Sequence, residues 1–143
     1  MDSVHILLVE DNEGDVLLLS EAFEEARLVT DLTVVKDGER AIDFLERRGE
    51  YDGARRPNLV ILDVNLPRKS GHEVLEHIKS SEHLKFIPVI MLTTSSAEQD
   101  VMKSYQNHAN CYITKPVDMD LFLKAIAQLG AFWLELVRLP KSK

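Results

Sequence analysis

Short runs of aliphatic residues without polar alternation recur along the chain, separated by longer segments with helical spacing. Such runs are typical of strands that are buried on both faces of a parallel sheet. They predict five strands: Val4–Val9, Leu32–Val35, Asn58–Leu62, Ile87–Leu92 and Cys111–Ile113. Because strands and helices alternate, the pattern predicts a doubly wound α/β sandwich with right-handed crossovers.

The segments between the strands carry apolar residues at helical spacing, so we predict a helix after each strand. The predicted helices are residues 12–27, Glu39–Arg48, Gly71–Ser80, Ala97–Gln106 and Asp118–Val137. Asp11 or Asn12 can cap the first of them. Gly49–Pro57 is rich in glycine, arginine and charge, which predicts a loop somewhat longer than a usual αβ connection.

Three acidic residues stand at the ends of two predicted strands. Glu10 and Asp11 follow the first strand, and Asp63 follows the third. In the doubly wound order 2-1-3-4-5 these two strands are neighbours, so all three carboxylates meet in one crevice outside the strand ends. Their mutual repulsion is costly unless a hard cation such as Mg²⁺ neutralises it.

Composition narrows the class of protein. The chain has 143 residues, of which 45% are hydrophobic and 29% charged, as expected for one globular domain. A formal net charge of −7 argues against non-specific binding of nucleic acid, because such binding depends on clustered lysine and arginine. A lone cysteine, Cys111, no signal peptide and no membrane-length apolar run together predict a cytoplasmic protein without membrane contact.

The histidines do not predict a metal centre. Only His72 and His77 are close in sequence, and a spacing of five does not place them on one helical face. Cys111 lies near His108 but has no second thiol, so a structural zinc site is not expected. The scattered glycines form neither a P-loop nor a dinucleotide fingerprint.

Several short motifs stand at the predicted strand ends in a characteristic order: Glu10-Asp11, Asp63-Val64-Asn65-Leu66-Pro67 with Gly71, Thr93, and Thr114-Lys115-Pro116. With them the chain resembles the receiver domain of bacterial two-component response regulators over nearly its whole length. The resemblance implies a flavodoxin-like fold with a five-stranded parallel sheet in the order 2-1-3-4-5 and five helices. Residues 1–143 would form a single receiver domain without an output domain.

The resemblance also implies the chemistry of the site. Asp63 would be the phosphoacceptor that attacks a phosphohistidine on a partner histidine kinase, and a carboxylate is a competent nucleophile for that step. Glu10, Asp11, Asp63 and the backbone carbonyl of Asn65 would hold Mg²⁺ or Mn²⁺. Lys115 would pair with Asp63 and then contact the phosphoryl oxygens, aimed by a cis peptide bond to Pro116 that the family carries.

Switching and turnover are implied in the same way. Thr93 would donate its hydroxyl to the phosphoryl group, and Tyr112 would turn inwards when Thr93 moves. Read without the resemblance, both are ordinary strand residues. Asn65 and Ser95 lie where the family tunes attack by water, and neither is a strong base, so we expect slow self-dephosphorylation.

The last predicted helix, with the apolar extension to residue 139, carries more apolar surface than one packing face needs. Its stripe consists of Leu129, Phe132, Trp133, Leu136 and Val137. The stripe could simply cover the sheet, but exposed it would be a self-association or partner surface, which favours a homodimer. This segment, with residues 110–117, resembles a narrower group, the stand-alone response regulators of cyanobacterial and bacterial phytochromes. A phytochrome-type kinase would then be the partner.

Two other classes of function remain open from the sequence. A phosphatase with an aspartyl nucleophile would commonly carry a second acid two residues after Asp63, but Asn65 stands there and cannot donate a proton as a carboxylic acid does. A dimeric scaffold that no longer takes phosphate is disfavoured by the intact Asp63, Thr93 and Lys115. We therefore expect a phosphoacceptor signalling protein that catalyses only its own phosphorylation and dephosphorylation.

Overall fold

The computed structural model describes residues 4–25, 30–94, 111–118, 120–122 and 124. Its elements in chain order are β1 (Val4–Val9), α1 (Glu13–Glu25), β2 (Thr30–Val35), α2 (Gly38–Leu45), a 3₁₀ turn (Gly49–Tyr51), β3 (Leu59–Asp63), α3 (Gly71–Lys79), β4 (Val89–Thr93) and β5 (Cys111–Thr114). Residues 120–122 and 124 are helical and belong to the last predicted helix. The predicted helix Ala97–Gln106 and residues 125–139 of the last helix and its extension lie outside the described residues.

The five strands form one parallel sheet in the order β2-β1-β3-β4-β5. The predicted flavodoxin-like arrangement is therefore confirmed. β1 and β3 are neighbours, paired from Ile6 with Leu59 to Val9 with Leu62. Because parallel strands end at the same edge of a sheet, this pairing brings the residues after Val9 beside those after Leu62.

Both faces of the central strands are buried, as expected from their uninterrupted aliphatic runs. Leu7, Val9 and Leu62 point into the core beneath α2 and α3. The alternate residues point into a second core with α1 and Phe122. Each of these strand residues loses essentially all contact with solvent, so the carboxyl edge of the sheet is held on a rigid support.

Side-chain caps fix the starts of the helices that follow β2 and β3. Asp37 accepts a hydrogen bond from the backbone N–H of Arg40, 2.7 Å away, and so begins α2. Ser70 and Glu73 form a reciprocal capping box at the start of α3. Among the described residues, no helix is both long and apolar enough to cross a membrane.

Candidate functional site

The acidic residues predicted to meet at the carboxyl edge of the sheet do so. Glu10, Asp11 and Asp63 each offer a carboxylate oxygen, and these oxygens lie within 4.8 Å of one another. Glu10 and Asp63 are buried, whereas Asp11 is exposed at the mouth of the crevice. The backbone of β1 and β3 places them, because Glu10 follows Val9 directly and Asp63 is the last residue of β3.

Both carboxylate oxygens of Asp63 have a hydrogen-bond partner. The backbone N–H of Asn65 donates to Oδ1 over 2.9 Å, and the ammonium of Lys115 donates to Oδ2 over 2.8 Å. The loop after Asp63 folds back tightly, with the N–H of Gly71 bonded to the carbonyl of Val64. A Cβ at Gly71 would overlap the backbone carbonyl of Asp63, so only glycine fits this approach.

Lys115 directly follows β5, which is the outer strand beside β4, and its side chain reaches the crevice from there. The backbone N–H of Lys115 donates to the carbonyl of Thr93 over 2.6 Å, which anchors the residue to the end of β4. The Lys115–Pro116 peptide bond is cis, as the resemblance implied. The side chain of Lys115 is 14% exposed, so its ammonium lies largely out of bulk solvent.

The ammonium of Lys115 contacts two further carboxylates besides Asp63. Glu10 Oε1 and Asp15 Oδ2 each lie 2.9 Å from Nζ. The contact with Glu10 Oε1 is an ion pair without hydrogen-bond geometry. Asp15, in the first turn of α1, was missed by the sequence analysis. Its position one helical turn after Asp11 was the available signal, but nothing in the sequence shows that a lysine 100 residues away reaches it.

Burial and crowding shift the charge states in the crevice. Burial, with the nearby Asp63 carboxylate, raises the pKa of Glu10 to about 7, although Lys115 pulls in the opposite direction. Burial alone would lower the pKa of Lys115. The nearby carboxylates of Asp63, Asp15 and Glu10 outweigh that effect and hold the pKa above its usual value. The lysine is therefore a permanent cation in a crevice with surplus negative charge.

Thr93 ends β4 and is fully buried beside this edge. The next residue, Thr94, accepts a long hydrogen bond of 3.5 Å from the side-chain amide of Asn65. Tyr112 is half-buried on β5 and packs against the core beneath α2 and α3, and burial raises its pKa. Tyr112 is thus a packing residue in this conformation.

The remaining predicted site residues lie outside the described residues. They are Ser95 and the proposed interface residues Phe132, Trp133, Leu136 and Val137.

The crevice suits a hard divalent cation. All three donors are carboxylate oxygens, and oxygen donors are what Mg²⁺ and Mn²⁺ select. Two of the acids are buried, and Lys115 is the single cation bonded to them among the described residues. The residues present therefore fit the ion that the resemblance implied.

A second cluster of titratable groups lies where α2 and α3 end. Glu46 Oε2 is 2.6 Å from Nε2 of His77, and Glu46 Oε1 is 3.1 Å from Nε2 of His83. Burial alone would raise the pKa of Glu46, but the bonds from the two imidazoles lower it below its usual value. The sequence analysis compared histidines only along one helix and therefore missed this cluster. Glu46 lies 31 positions before His77 and 37 positions before His83.

Comparisons with known proteins agree with this geometry. The family model of the response regulator receiver domain matches residues 6–127. The response regulator Rcp1 of Synechocystis sp. (strain ATCC 27184 / PCC 6803 / Kazusa) is 46% identical over 137 residues, which cover 96% of this chain and 93% of Rcp1. A crystal structure of Rcp1 in its Mn²⁺-bound form superposes with a TM-score of 0.78.

Two further solved structures are similar. The bacteriophytochrome response regulator RtBRR has 43% identity and a TM-score of 0.85, covering 92% of this chain and 81% of RtBRR. The phosphorylated cyanobacterial phytochrome response regulator RcpA has 42% identity and a TM-score of 0.79, covering 98% of this chain and 100% of RcpA. The match spans most of the chain and reaches every strand of the sheet, so this chain belongs to the family of response regulator receiver domains, which are signalling proteins of two-component systems.

Proposed function

We propose that this protein is a stand-alone response regulator that accepts a phosphoryl group on Asp63 from a histidine kinase. The observation that carries the proposal is the 2.8 Å bond between Asp63 Oδ2 and the Lys115 ammonium, inside a crevice that also holds Glu10 and Asp11. Nucleophile, fixed cation and cation-binding carboxylates thus stand together at one sheet edge. The match over 93% of the length of Rcp1, which is a response regulator, supports this function.

In the proposed reaction an oxygen of the Asp63 carboxylate attacks the phosphorus of a phosphohistidine. The new O–P bond forms as the P–N bond breaks, and the imidazole leaves with the electron pair and takes up a proton. Asp63 can present its oxygens in a fixed direction because the Asn65 N–H and the Lys115 ammonium each hold one of them. Such transfer depends mainly on positioning and on neutralising the phosphoryl oxygens.

Lys115 and Thr93 supply two parts of that neutralisation. The ammonium of Lys115 already lies within hydrogen-bond distance of Asp63, so it can remain in contact as charge moves onto the phosphoryl oxygens. Thr93 ends the neighbouring strand and brings a hydroxyl donor to the same edge. Mg²⁺, held by Glu10, Asp11, Asp63 and the carbonyl of Asn65, would supply further neutralisation of the phosphoryl oxygens when bound.

The proposed signal is a change of surface, not a further reaction. Thr93 and Tyr112 lie on adjacent strands, β4 and β5, whose pairing ends at Thr93 and Thr114. A pull of the Thr93 hydroxyl towards the phosphoryl group would change the space in which Tyr112 packs. We propose that a partner reads this change, and that the only reactions catalysed are the gain and loss of the protein's own phosphoryl group.

The proposed kinase is a phytochrome-type histidine kinase. RtBRR and RcpA are named as phytochrome response regulators, and this chain is 43% and 42% identical to them. We further propose that the protein is cytoplasmic and forms a homodimer through the stripe of Phe132, Trp133, Leu136 and Val137. The support for the dimer is the apolar pattern of that segment.

Acetyl phosphate with Mg²⁺, followed by intact-mass measurement, tests the phosphoacceptor proposal. The wild-type protein should gain one phosphoryl group, and it should gain none in EDTA. Asp63→Asn should not be labelled, whereas the matched surface variant Asp43→Asn should be labelled like wild type. Full labelling of Asp63→Asn would show that another residue is the acceptor.

Sedimentation of wild type and Trp133→Ala over a range of concentrations tests the dimer. If the stripe is the interface, the variant should dissociate at a concentration at least tenfold higher, because buried aromatic residues dominate interface energies. Leu121→Ala, an exposed leucine at the start of the same predicted helix, is the control. An unchanged dimer constant for Trp133→Ala would assign the stripe to the core.

A further inference from the structure

The ammonium of Lys115 has a third partner whose role the family assignment does not supply. An ammonium has three N–H donors, and three carboxylates surround Nζ: Asp63 at 2.8 Å, Glu10 at 2.9 Å and Asp15 at 2.9 Å. Each carboxylate comes from a different part of the fold. Asp15 is the one that belongs to a helix.

Asp15 lies on the lysine side of the crevice and not on the cation side. The carboxylate oxygens that lie within 4.8 Å of one another belong to Glu10, Asp11 and Asp63, and Asp15 does not join that group. Its side chain is 29% exposed, whereas the Glu10 side chain is wholly buried. Asp15 is therefore placed to hold the ammonium while the other acids are occupied by a metal ion.

The start of α1 fixes Asp15 independently of the lysine. The Oδ1 of Asn12 accepts the backbone N–H of Asp15 over 2.9 Å, and the carbonyl of Asn12 accepts the N–H of Val16 over 3.0 Å. Asp15 thus sits in the capped first turn of the helix, where a negative charge is favourable. Because these bonds fix the backbone of Asp15, its carboxylate projects from a fixed point and can serve as an anchor for the lysine.

We infer that Asp15 is a positioning residue that keeps the Lys115 ammonium at the α1 side of the crevice, so that Asp63 is free to react. This inference rests on the proposed phosphoacceptor function. With Asp15 in place, the Lys115 ammonium keeps one ion pair, and it can turn from Asp63 to a phosphoryl oxygen without leaving the crevice. Without Asp15, the lysine is left with Glu10 and Asp63 and pairs more closely with the nucleophile.

The first test is kinetic. Phosphorylation of Asp15→Asn by acetyl phosphate at saturating Mg²⁺ should be slower than that of wild type by about fivefold to tenfold, the size expected for one charge-assisted hydrogen bond partly screened by solvent. Asp15→Glu keeps the charge and should recover much of the rate. Glu13→Gln is the matched control, since Glu13 is an acid of the same first turn that pairs with Lys36 instead.

The second test does not depend on phosphorylation. A lysine-selective ¹⁵N spectrum of the metal-free protein should show a slowly exchanging ammonium signal for Lys115, assigned by its loss in Lys115→Met. In Asp15→Asn that signal should shift and exchange faster, while in Glu13→Gln it should be unchanged.

The outcomes separate the two proposals. A wild-type protein that takes no phosphoryl group contradicts the phosphoacceptor function, and the spectrum still decides whether Asp15 holds Lys115. A wild-type protein that is labelled on Asp63, with Asp15→Asn equal to it in rate and in the Lys115 signal, overturns only the role of Asp15. A slower Asp15→Asn that Asp15→Glu does not rescue also overturns it, because a charge anchor must respond to restored charge.

Discussion

Glu10 and Glu46 are both glutamates shielded from solvent, yet their surroundings act on them in opposite directions. Glu10 lies in the crevice with Asp63 and Asp11, and its pKa is raised to about 7 by burial and like charge. Glu46 lies between His77 and His83, and its pKa is lowered. The Glu46 cluster links α2 to α3 and the segment after it. The crevice instead brings together more carboxylates than the single positive charge of Lys115 can neutralise.

This difference distinguishes a structural ion pair from a site prepared for a reaction. Like charges in a buried place destabilise the folded protein unless another group relieves them. In the crevice, Lys115 relieves part of that repulsion, and a metal ion and a phosphoryl group remain to be accommodated. Three variants test this reading through the free energy of unfolding, measured by urea titration in EDTA.

The largest loss is expected for Lys115→Met. Removing this cation leaves Glu10, Asp15 and Asp63 facing one another, and breaking a buried charge pair costs about 3 kcal/mol. Added Mg²⁺ should recover part of the loss. Lys36→Met is the control, because Lys36 pairs with the exposed Glu13 and should cost less than about 1 kcal/mol. Equal losses of stability in the two variants would contradict the interpretation that Lys115 relieves repulsion among the carboxylates of the crevice.

Glu10→Gln should have the opposite effect and raise the free energy of unfolding at pH 8, by at most about 3 kcal/mol. The pKa of Glu10 is about 7 in the folded protein and its ordinary value is 4.5, so the folded state binds more protons between these values. Stability therefore falls as the pH rises from about 4.5 to 7, and the variant removes that fall. The gain should vanish below pH 4.5, where Glu10 is protonated in both states. A variant less stable than wild type at pH 8 would show that Glu10 is a structural partner of Lys115.

Glu46→Gln should give the smallest effect, a loss of about 1 kcal/mol near pH 6. The folded-state pKa of Glu46 is lowered, so its contribution is present above its ordinary value of 4.5 and is lost as the pH falls through the folded value. The free energies of unfolding of the variant and the wild type should therefore become equal at acidic pH. Glu76→Gln, an exposed acid on α3, should change nothing. A pH-independent difference for Glu46→Gln would point to packing as its cause.

The strands show how far sequence could predict the fold. Val4–Val9 agrees residue for residue, because the aliphatic run Ile6–Val9 is closed by the acids Glu10 and Asp11 and leaves little choice of where the strand ends. β2 was predicted from Leu32 but begins at Thr30, since it pairs with the whole of β1 from Val4 onwards. Sequence could not show this, because the partner strand sets the length.

Other boundaries also moved by a few residues. β3 was predicted as Asn58–Leu62 and is Leu59–Asp63, so the acid is the last residue of the strand and not the first after it. β4 was predicted from Ile87 and begins at Val89, although the carbonyl of Pro88 still accepts the N–H of Val60. α2 ends at Leu45 instead of Arg48, and the predicted loop 49–57 contains a 3₁₀ turn.

Within the site, the sequence predicted the residues that directly follow strands. It did not predict the residues whose contacts depend on how helices pack. Glu10, Asp11, Asp63 and Lys115 meet because strand order alone brings their positions to one edge. Asp15 projects from a helix, and its contact with Lys115 depends on how α1 packs against the sheet, which no local pattern encodes. The Glu46 cluster was missed for the same reason.

The central claim is that Asp63 carries the phosphoryl group, and chemical trapping tests it most directly. Borohydride reduces an aspartyl phosphate to homoserine, so the protein is treated with acetyl phosphate and Mg²⁺, reduced, digested and sequenced by tandem mass spectrometry. We predict homoserine at position 63, with Asp11 and Asp15 unchanged and no homoserine when the donor is omitted. Homoserine at position 11 or 15, or a phosphoryl gain without homoserine at 63, would contradict the account.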